Sequence, residues 1–197
     1  MTKTILLGTT LAALLVVSVV GYAAAVESWQ GIDSTSTADK NKNTKVLSID
    51  ATDVIPHRTT ELLAGFAWLY ADGPNTAFAI TIHNAGDQNG DTSEPPNDVR
   101  DSTQNPDGWH AHNVVLADGT ADSTFCVAEI VDAPTAGIAI KQDKIDVNVK
   151  NSALTGNLST NAAAFTIIVD GACPATLGTE ATTAGPLPLG IFVHALV

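Results

Sequence analysis

Positive charge is scarce in this chain. Its 197 residues carry 9 Lys and Arg against 21 Asp and Glu, a formal net charge of −12. Nucleic acids are gripped through clustered Lys and Arg, so this balance argues against such a partner. The same deficit argues against docking on an anionic membrane surface. Charged residues are only 15% of the chain and hydrophobic ones 45%, which excludes a disordered acidic tail. Sulfur is sparse too, with two cysteines and a single methionine, Met1. No glycine-rich phosphate loop, dinucleotide fingerprint or serine-elbow motif occurs. The carboxylates fall mostly in turns or on solvent faces, and Ser123 and Ser159 stand without a motif. The sequence therefore names no catalytic residue.

What is present begins with an address. Lys3 gives a short positive start, Ile5 to Val20 is uncharged and mostly apolar, and Ala23-Ala24-Ala25 supplies the small residues a signal peptidase reads. The expectation is a cleaved signal peptide over 1–25. The rival reading keeps Ile5–Val26 as an anchor, since about 20 apolar residues can span a bilayer. No second apolar span follows, so the mature chain is expected outside the membrane, in a secreted or cell-surface location. Residues 26–43 are rich in Ser, Thr, Asp and Lys and read as a flexible polar leader.

Residues 44–197 read as one domain. Leu47, Ile49 and Ala51 alternate with Ser48 and Asp50, and Ile145, Val147 and Val149 alternate with Asp146, Asn148 and Lys150. This is the period of a half-buried strand. Phe66, Trp68 and Tyr70 share one face of a run that ends at Asp72-Gly73-Pro74-Asn75, and Phe78, Ile80 and Ile82 share a face of the next. The two runs predict a hairpin. Further strands are expected over 109–116, 124–131, 137–140, 165–169 and 189–197. No mature segment of 11 or more residues has a helical period. The fold class is all-β, an antiparallel β-sandwich of about eight strands. Two connections are long. Residues 86–107 hold six acids and one Arg, and residues 173–188 are rich in Gly, Thr and Pro; loops of this length are functional or disordered. Asn157-Leu158-Ser159 is a glycosylation sequon.

Cys126 and Cys173 both lie in the exported part and are expected to form a disulfide. Closing their loop of about 48 residues is worth about 4 kcal/mol on chain-entropy grounds. A blue-copper site is excluded, because no His follows Cys126 before His194 and the only Met is Met1.

The five histidines are His57, His83, His110, His112 and His194. His110 and His112 are two apart on a strand and so point to the same side. Paired imidazoles are adjacent ligands for copper or zinc. His83 or His194 is the expected completion of that site, against the alternative of hydrogen-bonded histidines packed near Trp109. Asp87, Asn89 and Asp91 alternate as in the start of a calcium loop. Thr92 and Asp98 stand where that motif needs Gly and Glu, and a solvated loop is the alternative.

Asp53-Val-Ile-Pro56, Gly65-Phe-Ala67, the strand Ala77–His83 and Trp109-His-Ala-His112 together resemble the first half of a CHRD-type (chordin-like) secreted β-sandwich domain. The resemblance covers residues 47–117. The second half departs: the family's closing Gly-Glu-Ile-Arg-Gly-type segment is absent, and Gly190-Ile-Phe-Val-His194 stands near the end instead. The resemblance implies an extracellular binding or structural module. Two other classes remain open: a copper- or zinc-dependent extracellular enzyme of superoxide-dismutase type, and a strand-exchanging filament subunit associating with surface proteins or with itself.

Overall fold

The computed structural model describes residues 27–57, 64–73, 75–82, 109–133, 135–174, 177–178 and 188–197. The expected signal peptide lies outside them. Among the described residues the chain is all-β, with two three-residue 3-10 turns, Ser28–Gln30 and Asn151–Ala153, and no α-helix. No helix there is long and apolar enough to cross a membrane.

The strands are β1 (Ile32–Asn41), β2 (Thr44–Ala51), β3 (Ala64–Tyr70), β4 (Thr76–Ile82), β5 (Trp109–Asp118), β6 (Phe125–Asp132), β7 (Thr135–Lys141), β8 (Lys144–Lys150), β9 (Leu158–Val169), β10 (Leu177–Gly178) and β11 (Leu189–Leu196). They form an antiparallel four-stranded sheet, β1-β2-β8-β7, and a second sheet, β6-β11-β9-β3-β4-β5. The second sheet closes on itself because β5 pairs with β4 along one edge and β6 along the other. The result is a six-stranded antiparallel barrel; the short β10 adds a parallel pairing to β6. About eight strands were expected, whereas closure recruits more of the chain.

A closed sheet has two faces, and here both are buried along β3 and β4. The outer face of the wall carries Phe66, Trp68, Phe78, Ile80, Ile82 and Trp109, which join Leu47, Ile49, Ile145 and Val147 of the four-stranded sheet in one large core. Trp29, from the first turn, packs edge-on against Phe66 and Trp109 at centroid distances of 5.7 and 6.0 Å. The inner face is built from smaller residues, including Ala67, Ala77 and Ala79, with Phe165 and Ile191. Six strands enclose a narrow lumen, and small side chains on part of the wall let large ones from the other part fill it.

Within the segment expected as a flexible leader, residues 27–43 are structured instead. They form the Ser28–Gln30 turn and the ten-residue β1, paired with β2 from Ile32↔Ala51 to Asn41↔Thr44. An edge strand with one solvated face needs no apolar alternation, and Thr suits a pleated backbone. Cys126 and Cys173 are joined, with sulfurs 2.07 Å and Cα atoms 5.5 Å apart.

Candidate functional site

The register fixes where the histidines point. His110 pairs with Thr81, Thr81 with Gly65, Gly65 with Phe165, and Phe165 with Val193. Residues paired across antiparallel strands share a face, and Phe165 lines the barrel interior. His110 therefore points into the lumen, and so does His112, two residues on. His112 pairs with Ala79 on one side and with Asp132 on the other, at the seam that closes the barrel. Across the wall its row continues through Ala67 and Ala163.

Small neighbours make room for the two rings. The row of His112 is alanine on three strands, and the row of His110 contains Gly65. A Cβ at Gly65 would stand 2.0 Å from the Ile80 carbonyl oxygen and 3.0 Å from Cζ of Phe165, so only glycine permits this approach of β3 to β4. The imidazoles of His110 and His112 meet edge to face, with centroids 4.7 Å apart and planes at 87°. Only 2% and 5% of their respective surfaces reach solvent. Thr81 Oγ1 lies 3.2 Å from His110 Nε2, a hydrogen bond whose direction follows the tautomer. The strand spacing thus brings together the pair that the sequence singled out, in a water-poor interior.

His194 is not brought to them. Its Nε2 lies 2.6 Å from Thr166 Oγ1, and its ring packs on Phe192 with centroids 5.2 Å apart. Thr166 pairs with Ala64, which belongs to the core outside the barrel. His194 therefore stands on the outer face of the wall, opposite the pair. Gln30, fully buried, donates from Nε2 to the Phe165 carbonyl at 3.0 Å and to Thr166 Oγ1 at 3.2 Å. With Thr166 Oγ1 accepting from Gln30, its own hydroxyl proton is placed by donation to His194 Nε2. Burial holds the His194 pKa below its ordinary value.

The other candidates, His83 and the calcium set Asp87, Asn89 and Asp91, lie outside the described residues. Among the described residues no three His, Cys, Asp or Glu side chains gather as a metal cluster. Two imidazoles supply half of a tetrahedral zinc shell; their chemistry and adjacency fit copper or zinc, and the shell requires further ligands.

One constellation had no signal in sequence. Asp170 accepts hydrogen bonds from Ser123 Oγ at 2.7 Å, from Thr120 Oγ1 and, through Oδ1, from the Ala172 amide at 3.0 Å. The two hydroxyls and the amide hold its carboxyl below the usual range. A Cβ on Gly190 would strike Ser123 Oγ at 1.9 Å, and the Cys173 amide donates to the Asp170 carbonyl at 2.9 Å. This knot ties the approach to β6, the end of β9 and β11 to the disulfide. Ser123 gives its proton to a carboxylate rather than to an imidazole, which anchors a loop and does not make a triad. Comparison with known proteins gives no match to any family model, curated protein or solved structure.

Proposed function

We propose that this chain is an exported β module that works by binding rather than by catalysis, and that its ligand is a copper or zinc ion held by His110 and His112. The observation that carries the reading is the side-by-side burial of two imidazoles in the barrel lumen, with centroids 4.7 Å apart. Imidazole is a common ligand for both metals. A dry interior built from strands also suits precise positioning of ligands. His83, two residues after Thr81, is the candidate for completing the shell.

Export rests on the residue 1–25 pattern and on the Cys126–Cys173 pair, since disulfides persist in oxidising compartments. The likeness of residues 47–117 to chordin-like domains supports the same class. The four-stranded sheet laid over one barrel wall is read here as the second layer of a sandwich-like domain.

The test is metal analysis of the exported protein beside the His110→Ala/His112→Ala double variant. The expected result is copper or zinc near one equivalent in the parent, lost in the variant. Equal metal in both proteins removes the site from the pair. Redox or hydrolytic turnover by the loaded parent favours the enzyme class instead.

A second reading, self-association by strand addition, is favoured by one feature: β1 and β7 each pair on one side only among the described residues. Open edges accept further strands. A concentration-dependent sedimentation profile that collapses on Thr35→Pro supports it.

A further inference from the structure

We propose that Asn157 is an N-glycan acceptor and that its first sugar lies in the polar cleft between the β1–β2 hairpin tip and the loop before β9. The sequon Asn157-Leu158-Ser159 is the only Asn-X-Ser/Thr in the chain. The fold leaves Asn157 exposed at the last loop position before β9. That is the surface placement an acceptor needs.

A second observation concerns what lies beside it. Asn157 lines a cleft of about 470 Å3 together with Asp39, Asn41, Lys42, Lys45 and Asn151. The cleft is preformed. Asn151 donates from its amide to the Asn43 carbonyl at 2.8 Å and from Nδ2 to that of Lys42 at 3.1 Å, joining loop to hairpin. The Ala71 amide holds the Asn157 carbonyl at 2.7 Å, and the Thr155 amide donates to the Tyr70 hydroxyl at 3.2 Å. Lys45 Nζ donates to Asp39 Oδ1 at 2.6 Å, and this pair with the amides of Asn41 and Asn151 offers remaining acceptors and donors, the mixture that sugar hydroxyls require. No aromatic platform is among the lining residues, so the cleft is poorly equipped to capture a free sugar from solution. A covalently attached sugar needs little affinity, because its local concentration is fixed by the linkage.

The chemistry is a group transfer. Asn157 Nδ2 attacks the anomeric carbon of a sugar carried as a lipid-linked phosphate or diphosphate. The N–C bond forms, the C–O bond to phosphate breaks, the lipid phosphate leaves, and one amide proton passes to the cell's glycosyltransferase. One N–H remains on Nδ2. It can still donate to Asp72 Oδ2, which Nδ2 contacts at 2.6 Å, so modification keeps the side chain oriented.

The proposal rests on the export reading, because such transfer occurs outside the cytoplasm. The test is mass spectrometry of the full chain from its own cells. No Lys or Arg follows Lys150, so reduced tryptic digests yield residues 151–197 as one peptide. The expected result is that peptide heavier by at least one sugar, at its bare mass in Asn157→Gln and Ser159→Ala, and again modified in Ser159→Thr. A bare peptide on chains that have lost residues 1–25 overturns the acceptor and leaves export standing. A bare peptide on cytoplasmic chains that keep those residues overturns both. Hydrogen exchange decides the cleft: amides of residues 41–45 are expected to exchange several-fold slower in the modified parent than in Asn157→Gln, and equal rates place the sugar in solvent.

Discussion

The same three strands, β3, β4 and β5, face two interiors of opposite character. Toward the four-stranded sheet they present Phe66, Trp68, Phe78, Ile80, Ile82 and Trp109, a continuous surface of large apolar rings and branched chains. Toward the lumen they present Gly65, Ala67, Ala77, Ala79, Thr81, His110 and His112, buried but small or polar, followed along β5 by the partly buried Val114 and Leu116. Burial of apolar area is concentrated in the first interior, which therefore supplies most of the hydrophobic stabilisation. The second buries two imidazoles, and polar groups in a dry interior require partners. An interior built for stability alone would favour apolar groups at positions 110 and 112. The contrast separates the face that packs against the second sheet from the face that holds the two imidazoles of the proposed site.

The comparison is broken most severely at Trp109. Its ring stacks on Phe66 at a centroid distance of 6.1 Å, meets Trp29 and donates from Nε1 to the Pro56 carbonyl at 2.9 Å. Trp109→Ala is expected to cost about 3–5 kcal/mol in denaturant unfolding, as large aromatic truncations do. A smaller effect is expected from adding volume to the lumen. Ala79 pairs with His112, so the longer side chain of Ala79→Leu meets an imidazole in a space with little slack. The cost is expected at about 1–3 kcal/mol by the same measurement, with the fold retained by circular dichroism.

The mildest test uses pH and separates the outer wall face at His194 from the loop knot at Asp170. His194 has its folded pKa lowered by burial, so the unfolded chain takes up the proton first. Its contribution is complete above the unfolded value near pH 6.5 and declines as pH falls from there to the folded value. His194→Gln is expected to flatten stability over that window. Asp170 acts in a lower one. Hydrogen bonds from Thr120, Ser123 and Ala172 lower its folded pKa, so its contribution is present above the ordinary carboxylate value and vanishes as pH falls through the folded one. Asp170→Asn is expected to leave the His194 window unchanged, as read from thermal midpoints across the series.

Much of the fold is legible where large apolar residues alternate with small or polar ones along a strand. The alternation Ile145, Val147, Val149 predicts β8, and the two aromatic-aliphatic runs around Asp72-Gly73 predict the β3–β4 hairpin; both form, with the expected residues in the outer core. β1 is missed because an edge strand tolerates Ser, Thr, Asp and Lys along its length. The first half of β9, Leu158 to Ala164, is missed because its alanines carry no period, although they are what a crowded wall accepts. Closure of the barrel is invisible in any local window, since β3 meets β9, and β6 meets β11, through pairings of segments far apart in the chain. The same limit governs the site. That His110 and His112 share a face follows from the two-residue period; that this face is a lumen does not. The opposite side of His194 emerges only from register, and a bulge between Val193 and Ala195 disturbs strand parity beside it.

The central claim is that the lumen pair, and not His194, binds metal. Zinc titration of protein labelled with 15N in its histidine rings, followed by NMR, tests it most directly. The account predicts that the ring nitrogens of His110 and His112 shift together and saturate together, while those of His194 on the outer face stay unmoved. Shifts at His194 with the pair unchanged, or no saturable shift at the pair, would contradict it.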